Sequence, residues 1–262
     1  MNNLFVKENA FVITLIISII FLLVFYILSY FQLIQSTESL ALIGEASRWC
    51  ERVSGGVFRE PINTLTNLGF MVAGLYILHK LTNETSFNEF SGLNKITILY
   101  GVAVVYLGPG SMMMHGTNTE WGGWADNLSM VMYIILPWLY NCYKMSNWSV
   151  NTLLTTYFSI VILYALLRGL FGYGMGIGLD LFGVSIGLWV ISEFLYRFWS
   201  PGMRFFSGFV GFLVLMIFGI FPIDVFENIG EYWWIIFFWL PGLIANKKPT
   251  GKRTYIWYFA GM

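Results

Sequence analysis

Residues 10–31, AFVITLIISIIFLLVFYILSYF, carry no charged side chain. Wound as a helix with a rise of about 1.5 Å per residue, a run of this length covers roughly the 30 Å of a bilayer's hydrocarbon core. Further apolar runs occupy 95–107, 150–167, 205–221 and 232–245, in a chain of 262 residues that is 57% hydrophobic and 11% charged. Segments this long and this uncharged exceed what a soluble core uses. Backbone groups in lipid must satisfy one another, so the alternative to helices is a closed barrel of strands with period-two alternation. No such alternation is present, and the fold class is all-α integral membrane.

The pattern predicts eight spans, at 10–34, 61–80, 95–115, 125–144, 150–168, 174–196, 204–222 and 230–245. With a cytoplasmic N-terminus, ten of the fourteen Lys and Arg residues fall on the inner side and four, Arg48, Arg52, Arg59 and Arg168, on the outer. That asymmetry obeys the positive-inside rule and predicts that both termini are cytoplasmic. Zero formal net charge argues against a nucleic-acid partner. The first span exceeds the apolar length of about 7–15 residues typical of a signal peptide and reads as an uncleaved anchor. Cys50 falls outside and Cys142 near the inner end of its helix, too far apart for a disulfide. There is no internal repeat, and 35–60 and 81–94 are the longest polar stretches.

Against this background, GPGSMMMHGTNTEWGGWAD at 108–126 stands out. Polar residues in lipid are costly and face the bundle interior, so their depth carries information. Ser111 and His115 are four residues apart on one helix face, and the polar turn after them returns the chain so that Asp126 opens the next helix at the same level. Asp180, Glu227 and Glu231 fall in the same outer layer. A hydroxyl, an imidazole and a carboxylate on one helical hairpin suit a hydrolytic site, because a metal on imidazole lowers the pKa of bound water toward about 7. The same spacing also suits a hydrogen-bonded trio that pins two helices together.

The chain resembles the alkaline ceramidase family, within the CREST superfamily of membrane hydrolases. The residues that carry the resemblance are WCERVSGGVFREPINTLTNLGF followed by GPGSMMMHGTNTEWGGWADNLSM. Four family segments appear in order across 49–130: Trp-Cys-Glu, a Glu with an Asn-Thr helix start, Gly-x-Gly-Ser-x-x-x-His, and an aspartate opening the next helix. The resemblance implies a seven-transmembrane-helix bundle over 35–262, with residues 1–34 as one extra N-terminal transmembrane helix. It implies a buried zinc ion that activates water to cleave a lipid amide, with His115 a zinc ligand and Ser111 and Asp126 beside the metal. Asp126 would shuttle the proton from water to the leaving amine, and Ser111 would hydrogen-bond the oxyanion. Trp49, Glu51 and Glu60 match the segment that binds calcium in the animal ceramidases.

The chain also departs from that pattern. The family's last helix carries His-x-x-x-His, two further zinc ligands, yet the histidines here are His79 and His115 alone. The local counterpart, GEYWWI at 230–235, puts Glu231 at the first position, where a carboxylate can bind zinc, and Ile235 at the second, where nothing can. Arg48 and Val53 replace polar members of the calcium segment. Elsewhere, Asn63 and Asn67 read as helix-to-helix hydrogen-bonding residues, Glu193 and Arg197 as an ion pair, and Asp180 as a partner for Arg168. Three classes of function follow: a zinc-dependent hydrolase of ceramide or another N-acyl lipid, a metal-free pseudoenzyme that binds lipid, or an unrelated transporter or receptor. A lipid is the expected partner in the first two.

Overall fold

The computed structural model describes residues 9–83, 92–217, 227 and 230–250, and its described residues fall into two compact units, one up to Met130 and one from Val131. The fold is all-helical. The only bridge between extended segments among the described residues joins Ala46 and Arg52. Among the described residues four helices are long and apolar enough to cross a membrane: Ala10–Tyr30, Pro61–Thr82, Lys95–Thr117 and Val150–Phe171.

In the first unit, α1 is Ala10–Tyr30, α2 is Pro61–Thr66, α3 is Leu68–Thr82 and α4 is Lys95–Thr117. Each end has a local cause. Pro61 at the first turn of α2 supplies a fixed φ where no N–H is needed. Asn94 caps α4 by accepting from the Ile96 and Thr97 N–H groups, and Thr97 returns a bond to the Asn94 backbone. At its other end Asn118 adopts a left-handed conformation, φ 53°, and closes the last turn of α4. Thr119 Oγ1 then accepts the Gly122 N–H to start α5, Glu120–Lys144. Two residues therefore reverse the chain between helices, which brings Asp126 back to the level of His115.

Bare backbone lets the helices of this unit approach one another. A Cβ on Gly108 would lie 2.9 Å from the Asn67 carbonyl oxygen and clash with Met71. Gly74 and Gly101 meet Val105 and Leu78 in the same antiparallel seam between α3 and α4. Gly110 faces the other way, where a Cβ would stand 2.5 Å from Ser129 and 2.8 Å from the Ala125 carbonyl oxygen on α5. The Gly108-Pro109-Gly110 segment does not interrupt α4, which runs through it unbroken. Lipid supplies no hydrophobic drive between helices, so close packing at small residues carries their association.

The anticipated extra helix, α1, is lipid-facing along most of its length, but Phe25 is 4% exposed in a cluster with Met71 of α3 and Met112 of α4. In the second unit, α6 is Val150–Phe171, α7 Leu181–Arg197, α8 Met203–Ile217 and α9 Leu240–Ile244. The sixth span was drawn from 174, but α7 begins at Leu181. The preceding Gly172, Gly174, Gly176 and Gly178 all take positive φ and form a loop around the short turn Tyr173–Gly176, in which Met175 is left-handed too, φ 55°. Asp180 caps α7 by accepting the Phe182 N–H, which places it at a helix end and not two turns inside. The last expected span becomes a 3-10 helix, Trp233–Trp239, joined to α9. Arg204 of α8 ties down its end by donating to the Gly242 and Leu243 carbonyls. Glu193 accepts from Asn141 at 2.9 Å. Cys50 and Cys142 are both free.

The glycine packing predicts opposite signs at two positions of one hairpin. Gly110→Ala must push α5 away and is expected to cost about 1–3 kcal/mol of stability. Gly123→Ala, whose Cβ meets nothing within 4 Å, should gain up to about 1 kcal/mol from helix propensity. Thermal unfolding of the two detergent-solubilised variants checks both.

Candidate functional site

The polar residues of the first unit meet where the C-terminal end of α4 approaches the start of α2. Both ends carry backbone groups without helical partners, and the 44–60 segment supplies those partners. Glu60 N–H donates to the His115 carbonyl at 3.0 Å, and Arg59 N–H to the Gly116 carbonyl at 3.1 Å. These two bonds lay residues 59–60 against the end of α4. Gln35 adds a cross-tie by donating to Val57 and Ser29, and Ser36 N–H donates to Thr117.

The same ladder delivers a side-chain contact. His115 Nδ1 lies 2.7 Å from Glu60 Oε2, and Glu60 is 2% exposed. An ionised carboxylate only accepts, so the Nδ1 proton points at Glu60; in the neutral imidazole this puts the lone pair on Nε2. Asn63 Nδ2 donates to the same Glu60 oxygen at 2.9 Å, which fixes the carboxylate from α2. The Trp49 ring stands edge-on to the His115 imidazole, centroids 5.8 Å apart, and the Arg48 guanidinium lies 5.3 Å from the Trp49 ring centre. On the other side Ser111 hydrogen-bonds the Asp126 carboxylate, which lies within electrostatic reach of His115. Ser111, His115 and Asp126 are thus brought together, and Trp49 and Glu60 join them.

Glu51 does different work. Its two carboxylate oxygens accept the Ile62 and Asn63 N–H groups, each at 2.8 Å, and so cap α2. Calcium takes six to eight oxygen ligands. Here both Glu51 oxygens and Glu60 Oε2 already accept from the chain, and the Trp49 carbonyl faces Asn63 Nδ2 at 3.5 Å. Each of these bonds occupies one acceptor site on an oxygen that has two. Arg59, 2% exposed, donates to Ser39 Oγ at 2.8 Å and to the Ser54 carbonyl; burial holds its pKa below the usual value. It pins the loop by hydrogen bonds to neutral acceptors.

A catalytic zinc takes three protein ligands. His115 Nε2 suits such a role, because a carboxylate on the opposite ring nitrogen is the usual orienting partner of a metal-bound histidine. Asp126 is a second donor. Among the described residues no group of three or more His, Cys, Asp or Glu side chains gathers, so this donor set is one short and no step is routed through zinc. Glu231 lies in the second unit, exposed in the turn before Trp233. His79 lies against Phe11 near the end of α3, ring centroids 5.2 Å apart and planes tilted at 58°.

Sequence reasoning missed three features: the direct Glu60–His115 bond, the Trp49 ring on His115, and the buried Arg59. Asn63, read as a helix-to-helix residue, touches Glu60, while Asn67 bonds within its own helix to the Asn63 carbonyl. Only the adjacency of Glu60 to Pro61 offered a signal, since it marks Glu60 as a helix-start residue.

The family model for Ceramidase matches residues 46–174, a stretch that contains Trp49, Glu51, Glu60, Ser111, His115 and Asp126. No curated protein and no solved structure matches the chain.

The capping geometry yields a prediction. Glu51→Ala should lower stability by about 1–2 kcal/mol through loss of the α2 cap, and millimolar calcium should not restore it. Thermal unfolding of wild type and variant with and without calcium reads both parts; a calcium-dependent rise in wild type that Glu51→Ala lacks would show that the loop is a cation site.

Proposed function

The chain belongs to the ceramidase family through residues 46–174, and on that premise we propose that it is a membrane-embedded hydrolase. Its reaction is cleavage of the amide bond of ceramide or a related N-acyl lipid, at Ser111, His115 and Asp126. The observation that carries the reading is the buried Glu60 carboxylate on His115 Nδ1 at 2.7 Å, which leaves one basic nitrogen of defined orientation beside a second carboxylate.

The chemistry follows from these groups. Water adds to the amide carbonyl carbon, and its proton passes to a base, the Asp126 carboxylate or His115 Nε2. The carbonyl π electrons move onto oxygen. At rest Ser111 donates to Asp126; rotation of its hydroxyl re-aims the proton at the developing oxyanion. Collapse breaks the carbon–nitrogen bond as the abstracted proton reaches nitrogen, releasing a fatty acid and a long-chain amine. Zinc, bound at His115 Nε2, would supply a water of lowered pKa. Glu60 and Trp49 hold the ring in the same place with or without it.

The absence of the family's second and third histidines favours one other reading, a lipid-binding pseudoenzyme with the same fold. Purified protein with ceramide in mixed micelles separates the two. Wild type should release fatty acid, His115→Ala should lose at least about a hundredfold in kcat, and Glu60→Gln about tenfold to a hundredfold. Zinc per chain, measured on the same samples, should fall in His115→Ala if the metal belongs to the mechanism. Turnover unchanged in His115→Ala removes this residue from the chemistry, and an inactive, zinc-free wild type selects the pseudoenzyme.

A further inference from the structure

α1 lies outside the family match, which begins at residue 46, yet one of its side chains reaches the reaction site's backbone. Of its 21 residues, four are buried: Ala10, Ser18, Phe25 and Ser29. Phe25 is the large one. Its ring is stacked between Phe21 and Phe58, with centroids 5.4 and 5.5 Å away and planes 11° apart in each case. The ring edge enters a notch that exists because residue 116 has no side chain. A Cβ on Gly116 would sit 2.6 Å from Phe25 Cζ and 3.3 Å from Phe58 Cδ1.

That notch adjoins the site directly. Gly116 follows His115 in sequence, its carbonyl accepts the Arg59 N–H, and the His115 carbonyl accepts the Glu60 N–H. Phe58 precedes Arg59. The Phe25–Phe58 stack therefore roofs a two-rung ladder, and the separation across that ladder sets the distance between the Glu60 carboxylate and the His115 ring. Shrinking Phe25 leaves a void against Gly116 and Phe58, one on each strand of the ladder, and packed interiors relax into voids of that size only partly.

We propose that α1 is a positioning element of the reaction site, with Phe25 acting through Gly116 and Phe58 to hold the Glu60–His115 pair in register. The catalytic part of the claim rests on the hydrolase reading above; the structural coupling does not.

The chain's two histidines make the coupling readable without turnover. With histidine-selective ¹⁵N labelling, the ring Nδ1–H of His115 hydrogen-bonded to carboxylate gives a downfield proton signal, assigned by its loss in His115→Ala. Phe25→Ala should abolish or broaden that signal and lower kcat roughly tenfold to a hundredfold with KM within about twofold. Phe25→Leu, which refills most of the notch, should restore both. Met71→Ala, in the same apolar cluster but not against Gly116, serves as the stability control: it should lower the melting temperature comparably and leave signal and kcat in place. A wild-type signal that persists unchanged in Phe25→Ala overturns the proposal. So does an equal loss in Met71→Ala, which would reduce Phe25 to general packing. If wild type hydrolyses no amide while the signal still follows Phe25, the hydrolase reading falls and the coupling stands.

Discussion

The hydrogen bond between Glu60 and His115 is the constraint on which the rest of the first unit depends. A carboxylate 2% exposed at the edge of a membrane bundle is tolerable only with its oxygens engaged. Imidazole and Asn63 both engage Oε2. Removing one member of such a pair leaves the other buried and unsatisfied, at a cost of several kcal/mol, so the fold is committed to keeping 60 and 115 together. Everything nearby serves that commitment: the backbone ladder between 59–60 and 115–116, the Glu51 cap that fixes where α2 begins, and Arg59 holding the loop from behind. These are hydrogen bonds at helix ends, where the backbone already has groups to satisfy.

Helix contacts explain why this cluster can be rigid inside lipid. Glycines at 74, 101 and 108 let α3 and α4 touch backbone to side chain, and Gly110 does the same toward α5. The Gly-Pro-Gly stretch just before Ser111 is therefore a packing device with two faces, one for each neighbour. Ser111 follows at once, so the closeness that glycine permits also sets how near Ser111 comes to Asp126.

Much of this was legible in the sequence, for reasons that differ by feature. The apolar runs at 10–31, 95–107 and 150–167 each became a membrane-length helix, because the bilayer thickness demands about twenty residues of each. Ser111 and His115 share a helix face by spacing alone, and a polar two-residue turn returns Asp126 to them. What spacing could not reveal was any contact across long loops. Glu60 and His115 are separated by 55 positions, and a carboxylate in a loop reads equally well as cation ligand, helix cap or imidazole partner. Glu51 and Glu60 looked like one calcium pair, yet the structure gives them separate tasks, because one faces the α2 N-terminus and the other faces His115. The glycine run at 172–178 read as helix because small residues pack helices in lipid. Four positive φ values made it a loop instead, and no periodicity distinguishes the two uses of glycine.

The hydrogen bond on His115 Nδ1 bears most directly on function. Once a carboxylate holds Nδ1–H, the imidazole has one basic nitrogen, and its direction is set by Glu60 from one side and the Trp49 ring from another. A general base and a metal ligand make the same demand on that nitrogen: a lone pair, correctly aimed, on a ring that cannot flip. The residues that aim this nitrogen all lie between Trp49 and Asp126. What orients His115 is local hydrogen bonding and ring packing.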